Sequence, residues 1–213
     1  MIQIPLKTFY MMRHGESQLN AAGCVAGSFD TPLTEKGRHQ ALKARRIFER
    51  LAPRPMLIIH SHRSRAKDTA SILNQNASLP QIENPFIAER CFGDWTGQPR
   101  EILRNRFISG EEPPNGESMN IFTNRTLTSL SEILTMPDEP VLIVTHSGVF
   151  RALFQNYQCT IDRVKNCSIY SFSPAAIKQP FPWNICHHDL SGTTPVRVCR
   201  KETSHHHRIL TKT

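Results

Sequence analysis

Apolar residues alternate along this chain between short continuous runs and longer helical stripes. Lys7 to Met12 is a β-leaning run that stops abruptly at Arg13-His14-Gly15. Thr34 has the chemistry of a helix N-cap, and Glu35 follows in the first turn, where the helix dipole favours an anion. Ala41, Ala44, Ile47, Phe48 and Leu51 then recur at helical spacing, with Lys43, Arg45, Arg46 and Glu49 on the other face. Pro53 and Pro55 end that stripe. Met56 to His60 predicts a buried strand, and a second helix follows from about Arg65 to Asn74. The stretch from Ser78 to Pro114 is rich in Pro, Gly and Asn. Within it only Pro99 to Ile108 predicts a helix, with Pro99 at the first helical position. Met119, Phe122, Thr126, Leu130 and Ile133 mark a longer helix. Val141 to Thr145 is the clearest buried strand. It runs into His146-Ser147-Gly148 and a helix reaching about Tyr157. Cys167 to Phe172 and Val196 to Arg200 predict late strands.

Repeated strand–helix alternation predicts a three-layer α/β/α domain with a mostly parallel central sheet. One domain over 1–213 is expected, with its core at about 7–172 and a divergent tail at 173–213. Ligands of such sheets bind at the carboxyl ends of the strands. Two histidines fall at such ends: His14 after the first run and His146 after the Val141 run.

Composition narrows the partners. The 213 residues carry a formal charge of +8, but Lys and Arg are dispersed and are not interleaved with aromatics. That pattern suits a small anionic substrate and argues against nucleic acid. No pair of the six cysteines forms C-x-x-C, so free thiols in a reducing compartment are expected. The N-terminus lacks a signal-type apolar region, and no apolar run is long enough to span a membrane. A soluble cytoplasmic protein without a membrane partner is the expectation. Oligomeric state leaves no mark on the sequence.

An Arg-His-Gly triplet past a strand end suits attack on phosphorus. A neutral imidazole can attack through one nitrogen while a partner fixes the other. Gly15 lets the backbone approach a ligand, and Arg13 offers a planar fork for phosphate oxygens. Further motifs follow: Glu16-Ser17-x-x-Asn20, Gly27-x-x-Asp30-Thr31-Pro32-Leu33-Thr34-Glu35-x-Gly37-Arg38, and Ser61-His62-Arg63-Ser64-Arg65-Ala66-x-x-Thr69-Ala70. Then come Glu89-Arg90-x-Phe92-Gly93-Asp94-Trp95-x-Gly97, Pro114-Asn115-Gly116-Glu117-Ser118 and Val144-Thr145-His146-Ser147-Gly148-Val149. In this order, over about residues 8–172, the series resembles the histidine phosphatase superfamily, which includes the phosphoglycerate mutases.

The resemblance implies a phosphoglycerate mutase-like fold and a hydrolase of phosphomonoesters that works through phosphohistidine. It implies His14 as nucleophile, with Arg13, Arg65 and His146 around the phosphoryl group and Asn20 and the Gly27 backbone at its edge. Glu89 would be the general acid, then the base. Arg63 and Glu117 are candidates for the rim. Glu117 is also a candidate to hold His146 or an arginine, or simply to start the Met119 helix. Trp95 reads as packing or pocket wall. No cofactor or metal is implied. Two other functions stay open: a mutase-type phosphotransferase, and a non-catalytic interaction module on the same fold. The tail departs from the family with Cys186-His187-His188-Asp189 and His205-His206-His207, whose spacing matches no common zinc site.

Overall fold

The computed structural model describes residues 2–136, 138–177 and 180–200. A seven-stranded sheet is built from β1 (Phe9–Arg13), β2 (Leu57–Ser61), β3 (Gln81–Asn84), β4 (Val141–Thr145), β6 (Ile169–Pro174), β7 (Trp183–Asp189) and β8 (Gly192–Pro195), in the order β3-β2-β4-β1-β6-β7-β8. β5 (Cys159–Thr160) and β9 (Cys199–Arg200) form a separate antiparallel pair. The helices are α1 (Gln18–Ala21), α2 (Glu35–Phe48), α3 (Ser64–Asn74), α4 (Arg104–Ser109), α5 (Met119–Thr135) and α6 (Ser147–Asn156).

Strands β3, β2, β4 and β1 run parallel, as the strand–helix alternation requires. Their side chains alternate between faces with the period of two that a pleated strand imposes. Phe9 and Met11 of β1, with Val141 and Ile143 of β4, pack under α5 and α6. Tyr10 and Met12, with Leu142 and Val144, pack under α2 and α3. Burial on both faces explains why these strands read as unbroken apolar runs. Thr34 caps α2 as its chemistry predicts, accepting the Gly37 amide at 3.0 Å.

Two segments differ from the sequence expectation. Residues 99–103 are not helical. Val25 donates to Gln98 at 2.9 Å and Arg100 to Gly23 at 3.0 Å, which ties this stretch to the loop after α1 and delays α4 to Arg104. The divergent tail also carries two strands, β7 and β8, that its sequence pattern does not predict. β6, β7 and β8 continue the sheet antiparallel, and within Val196–Arg200 only Cys199–Arg200 is strand. The β7–β8 turn is closed by Asp189, whose carboxylate accepts the Ser191 and Gly192 amides. Phe181, Trp183 and Ile185 bury their side chains in the core, so the tail is part of the packing. Cys186-His187-His188-Asp189 lies along β7, and no three His, Cys, Asp or Glu converge as a metal set among the described residues. His205 to His207 lie outside the described residues. No helix among those described is long and apolar enough to cross a membrane.

The loop after β1 crosses the first turn of α2 at a glycine-to-glycine contact. A Cβ on Gly37 would lie 2.1 Å from the Glu16 carbonyl oxygen, and one on Gly15 would lie 2.6 Å from that of Gly37. Alanine at Gly37 would gain about 1 kcal/mol of helix propensity. The overlap is with backbone, which cannot swing aside, so overpacking wins. Gly37→Ala is expected to lower stability by about 2 kcal/mol net, read as a lower urea midpoint at unchanged m-value. An unshifted midpoint would show that the crossing is looser than its geometry.

Candidate active site

Strands β1 and β4 are adjacent and parallel, with Arg13 paired to Thr145. The His14 amide continues the ladder to the Thr145 carbonyl at 3.0 Å. Both histidines therefore leave the sheet side by side, with ring centroids 5.0 Å apart. His14 Nδ1 lies 2.6 Å from the Gly15 carbonyl oxygen. A carbonyl can only accept, so we assign the proton to Nδ1, which leaves the Nε2 lone pair free. His146 Nε2 lies 2.9 Å from Ser61 Oγ, which also accepts the Arg63 amide at 3.3 Å. The serine hydroxyl has no other acceptor among the described residues, so we assign it as donor to Nε2, which puts the His146 proton on Nδ1. That Nδ1 is buried and has no partner among the described residues.

Burial pushes both imidazoles well below their usual titration range. The Arg65 and Arg13 guanidinium groups add to the effect at each ring. Two neutral rings thus stand beside two buried cations. Arg65, only 1% exposed, donates to the Phe29 and Gly27 carbonyls, each at 2.8 Å. Burial brings it down to about 10, so it stays charged near neutral pH. Arg13 donates to the Val164 carbonyl at 2.9 Å and to Asn20 Oδ1 at 3.4 Å. The Nε atoms of both arginines are buried without a partner among the described residues. One hydroxyl links the two walls: Thr69 Oγ accepts the Gly15 amide at 3.0 Å and donates to the Arg65 carbonyl at 2.7 Å.

Arg13, His14 and Arg65 open on a cavity of about 190 Å³, whereas His146 is fully buried beside the His14 ring and is not among the residues that line it. Arg13, His14, Asn20, Gly27, Arg65 and Glu89 all line it. Glu89 Oε2 accepts the Gly148 amide at 3.1 Å and the Ser147 hydroxyl at 3.4 Å, at the N-terminus of α6. Its Oε1 accepts the Arg90 amide at 3.0 Å. The helix dipole and amide donors suit a carboxylate there. The Gly27 carbonyl is turned to Arg65, so that glycine contributes by positioning the cation.

Arg63 and Glu117 do not line the cavity. Arg63 precedes α3 as its N-cap. Glu117 holds Arg125, at 2.5 and 2.8 Å, and accepts the Cys91 amide at 2.8 Å. The N-cap of α5 is Ser118, and the partner of His146 is Ser61. Trp95 is buried with Val25 and Leu103 beneath the wall. Several wall residues went unmarked in the sequence. Arg100 and Arg151 line the cavity. Asn166 donates to the His14 carbonyl at 2.9 Å and to Asn20 at 3.3 Å. No local pattern singles out these three.

Known proteins share both the sequence and the fold. Residues 9–176 match the histidine phosphatase superfamily (branch 1). A glucosyl-3-phosphoglycerate phosphatase of Mycolicibacterium vanbaalenii is 32% identical over 166 residues, covering 70% of this chain and 72% of the relative. An adenosylcobalamin/alpha-ribazole phosphatase of Salmonella typhimurium is 33% identical over 160 residues, covering 68% and 76%. A solved mycobacterial glucosyl-3-phosphoglycerate phosphatase, complexed with VO3, aligns with a TM-score of 0.68 at 25% identity, covering 84% of this chain and 97% of that one.

The neutral histidines link stability to pH. An unfolded imidazole titrates near about 6.5, and both folded values lie below it. Between those values the unfolded chain binds more protons, so stability rises with pH. It is complete above about pH 6.5 and is lost as pH falls toward the folded values. The urea midpoint is expected to drop over that window. In His14→Gln the slope should shrink by roughly one proton. An identical slope in the variant would place the linkage elsewhere.

Proposed function

Because the chain belongs to the histidine phosphatase superfamily, we propose that it hydrolyses phosphomonoesters through a phosphohistidine at His14. The observation that carries this is the 2.6 Å contact between His14 Nδ1 and the Gly15 carbonyl, from which the tautomer is assigned. Nδ1–H is held by the Gly15 carbonyl at 2.6 Å, which leaves Nε2 as a nucleophile beside partnerless donors on Arg13, Arg65 and His146. Those donors match the non-bridging oxygens of a phosphoryl group, where positioning and positive charge do most of the catalysis.

In the first step the Nε2 lone pair forms a bond to phosphorus while the ester P–O bond breaks. Glu89, as the acid, gives its proton to the departing oxygen. In the second step Glu89 takes a proton from water, the water oxygen bonds to phosphorus, and the N–P bond breaks. Orthophosphate leaves and the His14 lone pair is restored. Arg13 and Arg65 hold the equatorial oxygens through both steps, and His146 donates from Nδ1. Asn20 fixes Arg13, and the Gly27 carbonyl fixes Arg65.

Transfer to a second hydroxyl, as in a mutase, would require the phosphoenzyme to exclude water. The short connection from Glu89 to Glu117 supports the phosphatase instead. Loading with a labelled ester followed by quenching in alkali should leave acid-labile label on wild type and none on His14→Ala. Brisk turnover without label on the protein would end the proposal. Glu89→Gln should slow an alkyl phosphate by about 10²–10⁴, and 4-nitrophenyl phosphate far less. Equal slowing would remove Glu89 as the acid. Gly148→Ala probes the same group from behind. Its Cβ would lie 1.9 Å from Glu89 Oε1, a flexible tip that moves aside. The variant should fold with a near-normal midpoint yet show the same leaving-group bias.

A further inference from the structure

Helix α6 buries Val149, Phe150, Ala152, Leu153 and Phe154. Its other stripe is Ser147, Arg151 and Gln155, four residues apart and so stacked on one face. All three line the catalytic cavity and also a second cavity of about 650 Å³. Arg13, Asn20 and Arg100 border both as well, so the two spaces adjoin. Ser147 and Gly148 hold Glu89, the proposed acid, and Arg151 stands one helical turn further along. Arg151 therefore stands between the anchor of Glu89 and the larger space.

That space is strongly cationic. Arg13, Arg100, Arg151 and Arg163 line it, against the carboxylates of Glu16 and Asp162. Glu16 is already paired with Lys36 at 2.8 Å. Arg100, Arg151 and Arg163 have no carboxylate within ion-pair distance among the described residues, and Arg100 feels the charge of both others. Arg100 is lowered first by burial, with Glu89 opposing, and further by Arg151 and Arg163. Like charges gathered in a recess beside a reaction chamber are relieved by an anion.

We propose that the second cavity binds an acidic group on the leaving portion of the ester through Arg151 and Arg163. The substrate class would then be phosphomonoesters of small acids, carrying a carboxylate or a second phosphate, in preference to esters of neutral alcohols. This rests on the phosphatase reading above.

Three probes of matched length separate the cases: sorbitol 6-phosphate, 6-phosphogluconate and sorbitol 1,6-bisphosphate. Wild type should favour at least one acidic probe over the neutral one by about tenfold in kcat/KM, and added NaCl should shrink that preference. Preference for one acidic probe over the other identifies carboxylate or phosphate as the group bound. In the Arg151→Gln/Arg163→Gln double variant the acidic-to-neutral ratio should fall to about one. Arg151→Lys/Arg163→Lys should retain much of the preference. No preference in wild type, or equal losses on every probe in the glutamine variant, would overturn the second site while leaving the phosphatase standing. Failure on all three with 4-nitrophenyl phosphate still turned over would overturn the second site alone, and failure on that ester as well would overturn both.

Discussion

Everything at the candidate site depends on the register between β1 and β4. Pairing Arg13 with Thr145, and the His14 amide with the Thr145 carbonyl, releases two imidazoles from adjacent strands at the same height. A slip of one residue would turn one of them into the opposite face. The register is protected by burial on both faces, since Tyr10, Met12, Leu142 and Val144 face one helical layer and Phe9, Met11, Val141 and Ile143 face the other. The apolar runs that make the sheet also aim the chemistry.

The second constraint is electrostatic. Arg13 and Arg65 are buried and are held mainly by carbonyls, which orient a guanidinium without cancelling its charge. A carboxylate partner in the same positions would hold them as well but would neutralise them. Glu89 is kept aside at the start of α6, where amides bind it. Burying a cation without a close counter-ion is unfavourable, and the surrounding fold must supply the difference. That favours an incoming anion over water in the hollow. The neutral histidines belong to the same balance, since protonating them there would add charge to a site already in excess.

Legibility in the sequence followed the range of the signal. Helix α2 announces itself through Thr34 and a regular apolar stripe, and β4 through five consecutive buried residues. Both are local. β3 is a polar edge strand in which Ile82 is the lone apolar residue, so it reads as loop. β7 does alternate, with Trp183 and Ile185 inward and Asn184 outward, but the prolines at 180 and 182 mask its start. Residues 99–103 carry a helical pattern and are overruled by hydrogen bonds to residues 23–25. Most of the candidate set could be named because it resides in contiguous motifs. Ser61 as the support of His146, and Asn166 as the brace of the His14 turn, were not assigned because they act across 85 and 152 residues of chain. Arg100, Arg151 and Arg163 meet only in three dimensions.

The partnerless donors on Arg13, Arg65 and His146 have a consequence after turnover as well as before it. They distinguish a phosphoryl group from water, but not an esterified one from a free one. Inorganic phosphate offers the same oxygens, so the emptied hollow also receives the product it has just released. Free phosphate in the surroundings therefore competes for the same donors that hold the ester.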